Sequence, residues 1–270
     1  MKKIAFLFAA LAFAFPASAH DGSFSTNTLT SPALSALKLT ANAEYTTAYM
    51  FRGDKLADDS VQASVEVSYE ILGFDAYAGA WMNEPLHRKI DKYSDVLKNL
   101  SQVDFYGGLM YSLYIAVFDV GYQYFWYPND HEGKSYQNEI YGGITLDTAD
   151  LLYGFNIAPS VYYYYNFQLE THNIEASISY EFPIGAYFGF GGLTMPLGAN
   201  YAFIKCQGSA FGQYMYWGAT ADLAYAITNY FTVSGGVRYC RRFNEKDCEG
   251  VFRREKRDNI WYGVKVEIGF

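Results

Sequence analysis

Beyond its N-terminal segment the chain has no apolar run near the roughly 18 residues that a membrane-crossing helix needs. Helical membrane spans are therefore excluded there. Cysteine is scarce, with Cys206, Cys240 and Cys248 alone in 270 residues, and their spacing fits no zinc pattern. A Cys240–Cys248 or a Cys206–Cys240 bridge is open in an oxidising compartment, as is a free thiol. The four histidines are His20, His87, His131 and His172. His172 could approach Glu170 or a serine, yet no G-x-S-x-G, H-E-x-x-H or phosphate-loop pattern accompanies it, and a lone loop histidine is more often solvated. An enzyme is therefore not expected, nor any cofactor or metal. Bases are also few, 20 Lys and Arg against 28 Asp and Glu for a formal net charge of −8. That balance argues against nucleic acid as a partner, since phosphate binding wants a basic surface.

The N-terminus "MKKIAFLFAALAFAFPASAHDG" has two lysines, an apolar run from Ile4 to Phe15, and Ala17-Ser18-Ala19. These are the basic region, the apolar region and the cleavage site of a secretory signal, giving a signal peptide over 1–19. Cleavage removes Lys2 and Lys3, so the mature chain is two charges more negative still. Residues 20–37 are expected to form a periplasmic segment and residues 38–270 a single domain.

What the chain has in abundance is aromatic residues, 27 Tyr and 21 Phe, arranged at a period of two. "SVQASVEVSYEI" (60–71) sets Val61, Ala63, Val65, Val67, Tyr69 and Ile71 against Ser60, Gln62, Ser64, Glu66, Ser68 and Glu70. Segments at 38–52, 73–83, 101–113, 115–127, 136–148, 152–167, 171–183, 185–205, 212–226, 230–242 and 257–270 read the same way. Short connections, near Leu72-Gly73, 112–115, 148–151, Pro183-Ile184 and Thr228-Asn229, alternate with longer polar ones. One face is uniformly apolar and aromatic, and the charges fall on the other. A soluble sandwich would show water its polar face. The pattern instead predicts an all-β, transmembrane, antiparallel up-and-down β-barrel of about twelve strands in a Gram-negative outer membrane. Its even strand number lets the last strand close on the first. Tyr49, Phe51, Tyr124, Trp126, Tyr163, Tyr165 and Tyr239 are candidates for one aromatic girdle, and Tyr180, Phe182, Tyr225, Phe231 and Phe270 for the other. The 84–100 loop carries Leu86, Ile90, Tyr93, Leu97 and Leu100 at helical spacing, and a short surface helix is expected there. Phe270, ending an alternating strand, resembles the C-terminal signal by which bacterial barrels are handed to the barrel-assembly machinery.

"LTANAEYTTAYMFRG" followed by "SVQASVEVSYEILGFDAYAGAW", with "VDFYGGLMYSLYIAVFDVGYQYFWYP" further on, resembles the bacterial TorF family of porins. Tyr49, Arg52, Gly53, Asp104, Tyr106, Asp119, Gly121, Tyr122 and Pro128 hold the matching places. The likeness covers roughly 38–148, and it implies an outer-membrane porin.

Taking the polar face as inward, the pore-lining candidates are Glu44, Arg52, Glu66, Asp104, Asp119, Glu139, Glu175, Asp222, Arg238 and Lys265. Acids outnumber bases among them, and such a lumen attracts cations and repels anions. The expected function is a porin-like channel for passive diffusion of small hydrophilic solutes, preferring cations. Twelve strands lie between the side-chain-filled eight-stranded barrels and the water-filled larger ones. The alternative is a non-conducting structural or adhesive barrel, plugged by closed networks and binding a partner through its loops. Expected partners are outer-membrane lipid and lipopolysaccharide, met in part by the basic loop at 241–258, together with small polar solutes.

Overall fold

The computed structural model describes residues 37–86, 89–90, 97–98, 101–128, 136–207, 212–246 and 257–270. The expected signal peptide, nearly all of the 20–37 segment, His87, His131, Cys248 and most of the basic loop lie outside the described residues.

Period-two sequence becomes strand throughout. The first half comprises β1 (Leu37–Thr46), β2 (Tyr49–Phe51), β3 (Asp54–Ala57), β4 (Ser60–Ile71), β5 (Phe74–Pro85), β6 (Lys89–Ile90), β7 (Leu97–Lys98), β8 (Gln102–Leu113) and β9 (Ala116–Trp126). The second comprises β10 (Tyr136–Leu146), β11 (Ser160–Asn166), β12 (Thr171–Phe182), helix α1 (Ile184–Phe188), β13 (Leu193–Cys206), β14 (Gly212–Ala226), β15 (Phe231–Lys246) and β16 (Asp258–Gly269). Twelve strands close a barrel in the order β1-β16-β15-β14-β13-β12-β11-β10-β9-β8-β5-β4, each antiparallel to its neighbours. Closure runs from Thr40 opposite Gly269 to Thr46 opposite Gly263. It extends to Phe270, which exchanges backbone hydrogen bonds with Leu39 at 3.1 and 2.8 Å. No wall strand is left with an open edge.

The two faces have inverted polarity. On β4, Val61, Val65, Val67, Tyr69 and Ile71 are exposed while Ser60, Gln62, Glu66 and Ser68 are buried. Most other wall strands repeat this, which suits a wall between hydrocarbon and a polar interior; on β13 the buried inner face also carries Ala202, Ile204 and Cys206.

Three local expectations are corrected. The strand expected over 38–52 stops at Thr46, and the chain turns inward as the β2–β3 hairpin. Tyr49 is therefore buried inside the barrel and does not belong to the girdle, and Phe51 leaves the outer face with it. The helix expected in the 84–100 loop is not what its described part forms: Lys89 pairs with Lys98 and Ile90 with Leu97 in a two-stranded ribbon. Apolar residues three or four apart suit a helix, but here cross-chain pairing wins. Finally, two connections expected to be tight are long, spanning 147–159 and 183–192. Ala158 takes a positive φ of 35° at the first, and Gly189, at 74°, ends α1 in the second. These connections, the other short turns and both ends of the described chain lie at one end of the barrel, termed the turn end; the opposite end is the loop end.

Candidate functional site

The lumen is the candidate site, and what enters it from the loop end decides its shape. The β2–β3 hairpin pairs Tyr49 with Ala57 and Phe51 with Asp54 across a two-residue turn, Arg52-Gly53. Both turn residues have positive φ, 49° and 82°, the geometry of the mirror-image turns that match strand twist. Gly53 is needed twice over, because a Cβ there would lie 2.7 Å from the Cβ of Tyr216. Arg52 occupies a conformation that costs an ordinary residue about 1–2 kcal/mol. Its side chain offsets this with a 2.5 Å ion pair to Glu139 on β10, and its guanidinium lies 5.2 Å from the ring centre of Tyr164.

The hairpin spans the lumen. Tyr49 and Ala57 pack with Tyr77, Trp81, Tyr106, Tyr162 and Tyr164 on one wall. Ala48 and Met50 pack with Ile204, Tyr214, Tyr216 and Trp261 on the other. The Tyr49 hydroxyl donates to Gln102 Oε1 at 3.0 Å, and the Tyr214 hydroxyl donates to the Arg52 carbonyl at 3.1 Å. A second ion pair, Arg242 to Asp54 at 2.8 Å, ties the hairpin to β15. The hairpin is thus clasped to β10 and to β15, strands far apart around the ring.

Around and below it lies a polar interior. Asp104 accepts from Gln102 and Gln123 at 2.9–3.0 Å. Asp119 accepts from the hydroxyls of Tyr77 at 2.7 Å and Tyr162 at 3.2 Å, and the Tyr77 and Tyr141 hydroxyls meet at 2.5 Å. Glu175 is held by Tyr216 and by Asn200. Arg238 reaches Glu44 at 2.9 Å and Asp222 at 3.5 Å, and Lys265 reaches Glu267 at 3.0 Å. Bases and hydroxyls together offset the desolvation that buried carboxylates would otherwise suffer.

The tyrosines lie along the wall because glycine faces them. Tyr106 is in register with Gly79 and Tyr77 with Gly108, Tyr141 with Gly121, and Tyr162 with Gly143. In each pair the ring covers the glycine so closely that a Cβ there would strike it. Glycine opposite tyrosine is a pattern visible in the sequence, but only once strand register is known.

Of the expected inward residues, Glu44, Glu66, Asp104, Asp119, Glu139, Glu175, Asp222 and Arg238 are buried on the inner face of wall strands, and Lys265 is half-buried there. Arg52 is inside as well, though on the hairpin and not on the wall. Tyr122 faces outward and donates to Asn138 at 2.6 Å. His172 faces outward too, with its Nδ1 2.7 Å from the Tyr163 hydroxyl. The Cys206–Cys240 bridge is not formed. Phe270 is exposed and stacks on Tyr230. Nothing local in the sequence signals insertion of the hairpin, because its alternation continues that of β1 without a break.

The family described as a bacterial protein of unknown function, Gcw_chp, matches residues 30–234. No curated protein matches the chain. Among solved structures, an outer membrane channel from Pseudomonas putida F1 is similar, with a TM-score of 0.53 and 8% identity over 91% of this chain and 100% of that one. LpxR from Salmonella typhimurium follows at 0.50 and 9%, over 86% and 99%. The KdgM porin reaches 0.45 and 10%, over 86% and 99%. The first two establish the fold as that of outer-membrane barrels.

Proposed function

We propose that this chain, which belongs to the Gcw_chp family of bacterial proteins of unknown function, is an outer-membrane channel for small hydrophilic solutes. Its acidic lumen favours cations, and the β2–β3 hairpin forms the constriction. One observation carries the reading: a closed wall with apolar side chains outward and Glu44, Glu66, Asp104, Glu139, Glu175 and Asp222 buried inward. Carboxylates in a narrow polar passage raise the local cation concentration. The resemblance to TorF porins through Tyr49, Arg52, Gly53, Tyr106, Gly121 and Tyr122 belongs to this proposal. So do delivery by the barrel-assembly machinery through Phe270 and contact with lipopolysaccharide at the loop end.

The mechanism is partition and diffusion without covalent chemistry. A solute entering from the loop end meets the hairpin, whose two ion pairs set how often the passage opens. It then passes the tyrosine-lined wall, where hydroxyls and carboxylates replace part of its hydration shell. The purified barrel in planar bilayers should give discrete, cation-selective current steps. Glu66→Gln combined with Asp104→Asn should shift the reversal potential toward zero selectivity. An unchanged ion preference would overturn the charge argument.

A second reading is favoured by the same hairpin. Ion pairs to two distant strands suit a permanent plug, and hence a non-conducting structural or adhesive barrel. Electrical silence in both the parent and a hairpin-loosened variant would support it.

A further inference from the structure

The tight turns at this end of the barrel expose apolar side chains one or two at a time, as at Leu72 and Tyr114, whereas the two long connections at 147–159 and 183–192 expose them in clusters. Tyr153 is fully exposed, and Tyr187, Phe188 and Phe190 are 71%, 67% and 63% exposed. The rings of these connections that have a stacking partner lie against the outer wall. Phe155 stacks on Tyr180 with ring centres 5.8 Å apart, and Tyr187 stacks on Phe182 at 5.3 Å. Tyr180 and Phe182 are outward residues of β12, sharing the face of Ile174 and Ile178. Both connections therefore fold outward and continue the lipid-facing band of the β11–β13 wall.

They also have structure of their own. Asn156 Oδ1 accepts from the backbone of Thr148 and of Ala158, at 3.0 and 3.1 Å, which pins the first connection. Ser179 donates its backbone N–H to the Ile157 carbonyl at 2.9 Å, holding that connection against β12. In the second, Gly185 of α1 is buried, and its carbonyl accepts from Phe190 at 2.9 Å. The aromatics are thus presented by pinned backbone, with their apolar area unspent on the protein itself.

We propose that these two connections form a lateral foot that sits in the headgroup–acyl boundary of the phospholipid leaflet at the turn end. Three observations point to lipid as the occupant. The surface is continuous, ring on ring, with the wall band that faces hydrocarbon. It is built from tyrosine and phenylalanine, whose amphipathic or apolar rings populate such boundaries. It contains no lysine or arginine, with Asp147 and Asp150 its only charged residues, so it suits zwitterionic rather than anionic headgroups. Because the clustered rings lie on one side only, the barrel gains a side-specific anchor larger than the single exposed side chains of its tight turns, such as Leu72 and Tyr114. The foot rests on the membrane placement proposed for the barrel, and the test separates the two.

A chain with Cys206, Cys240 and Cys248 changed to Ser receives one cysteine at Tyr153, at Phe188 or at the wall residue Val120, each labelled with an environment-sensitive fluorophore. It is then placed in phosphatidylcholine vesicles bearing doxyl-labelled lipid. Expected are blue-shifted emission and doxyl quenching at all three sites. Quenching should be strongest for shallow doxyl positions at Tyr153 and Phe188, and for deep ones at Val120. Quenching at Val120 with iodide-accessible, unquenched labels at Tyr153 and Phe188 would overturn the foot and leave the membrane placement intact. No quenching at Val120 would overturn both. Shielding of Tyr153 that grows with protein concentration and ignores doxyl lipid would mean a second copy covers the surface, and would likewise overturn the foot. Should the serine background not fold, Tyr153→Trp and Phe188→Trp in the parent chain, read as difference quenching by brominated phosphatidylcholine, distinguish the same outcomes.

Discussion

Arg52 and Arg242 clasp the inserted hairpin through carboxylates, whereas Asp119 on the facing wall is held by the phenols of Tyr77 and Tyr162. Both devices keep a carboxylate out of bulk water, but they fail differently. Removing one member of a buried ion pair strands the other as an uncompensated charge, at about 3–5 kcal/mol. Removing one hydroxyl from a shared carboxylate leaves a second donor in place. The hairpin is therefore secured by an all-or-nothing device, and the wall by one that degrades by steps. Under the proposed channel reading, a constriction that must either stay or leave suits the first, and a permanent passage lining suits the second.

The sharpest way to break this comparison is Arg52→Met. Glu139, fully buried, then loses its base, and the hairpin loses its stack on Tyr164. The expected outcome is a loss of about 3–5 kcal/mol in urea unfolding from micelles, together with larger or more frequent current steps. Adding Glu139→Gln should recover most of the stability, since an intact neutral site lacks the stranded charge. Equal losses in the single and double variants would show that the pair is not what holds the hairpin.

A smaller effect is expected on the wall. Gly121→Ala places a methyl group where the Tyr141 hydroxyl and ring lie, and overpacking of this kind costs about 1–3 kcal/mol. Tyr141→Phe in the same chain removes the hydroxyl and should relieve part of that loss. If Gly121→Ala is neutral, the tyrosine is free to swing inward, and the wall is less fixed than its register pairs suggest.

These sites also mark how far the sequence could be read. The wall strands, their closure and the inward face of Glu44 through Lys265 follow from period two, because a face that is apolar for a dozen residues has few places to go. Two features resisted for physical reasons. Residues 47–51 keep the alternation of β1, so the turn into the lumen leaves no local mark. The decision is made by Arg52 meeting Glu139, 87 residues away. In 147–159 and 183–192 the aromatic content resembles strand, but Ala158 and Gly189 take positive φ and break it, which no periodicity reveals. The glycine partners of the tyrosines were visible as letters and meaningless until register paired them.

The finest test stays on the hairpin itself. Lys55 and Asp58 form an ion pair at 2.6 Å, as short as the buried clasp, yet their side chains are 28% and 38% exposed. Distance alone would rank this pair with Arg52–Glu139. Solvation says otherwise, because water screens the attraction and both side chains surrender rotamer freedom to meet. Such pairs contribute about 0–1 kcal/mol. Lys55→Ala should thus leave the urea midpoint nearly unchanged, and raising salt should erase what difference remains. A loss as large as that of Arg52→Met would mean that the hairpin is held along its whole length, and the two clasps would no longer be its distinguishing feature.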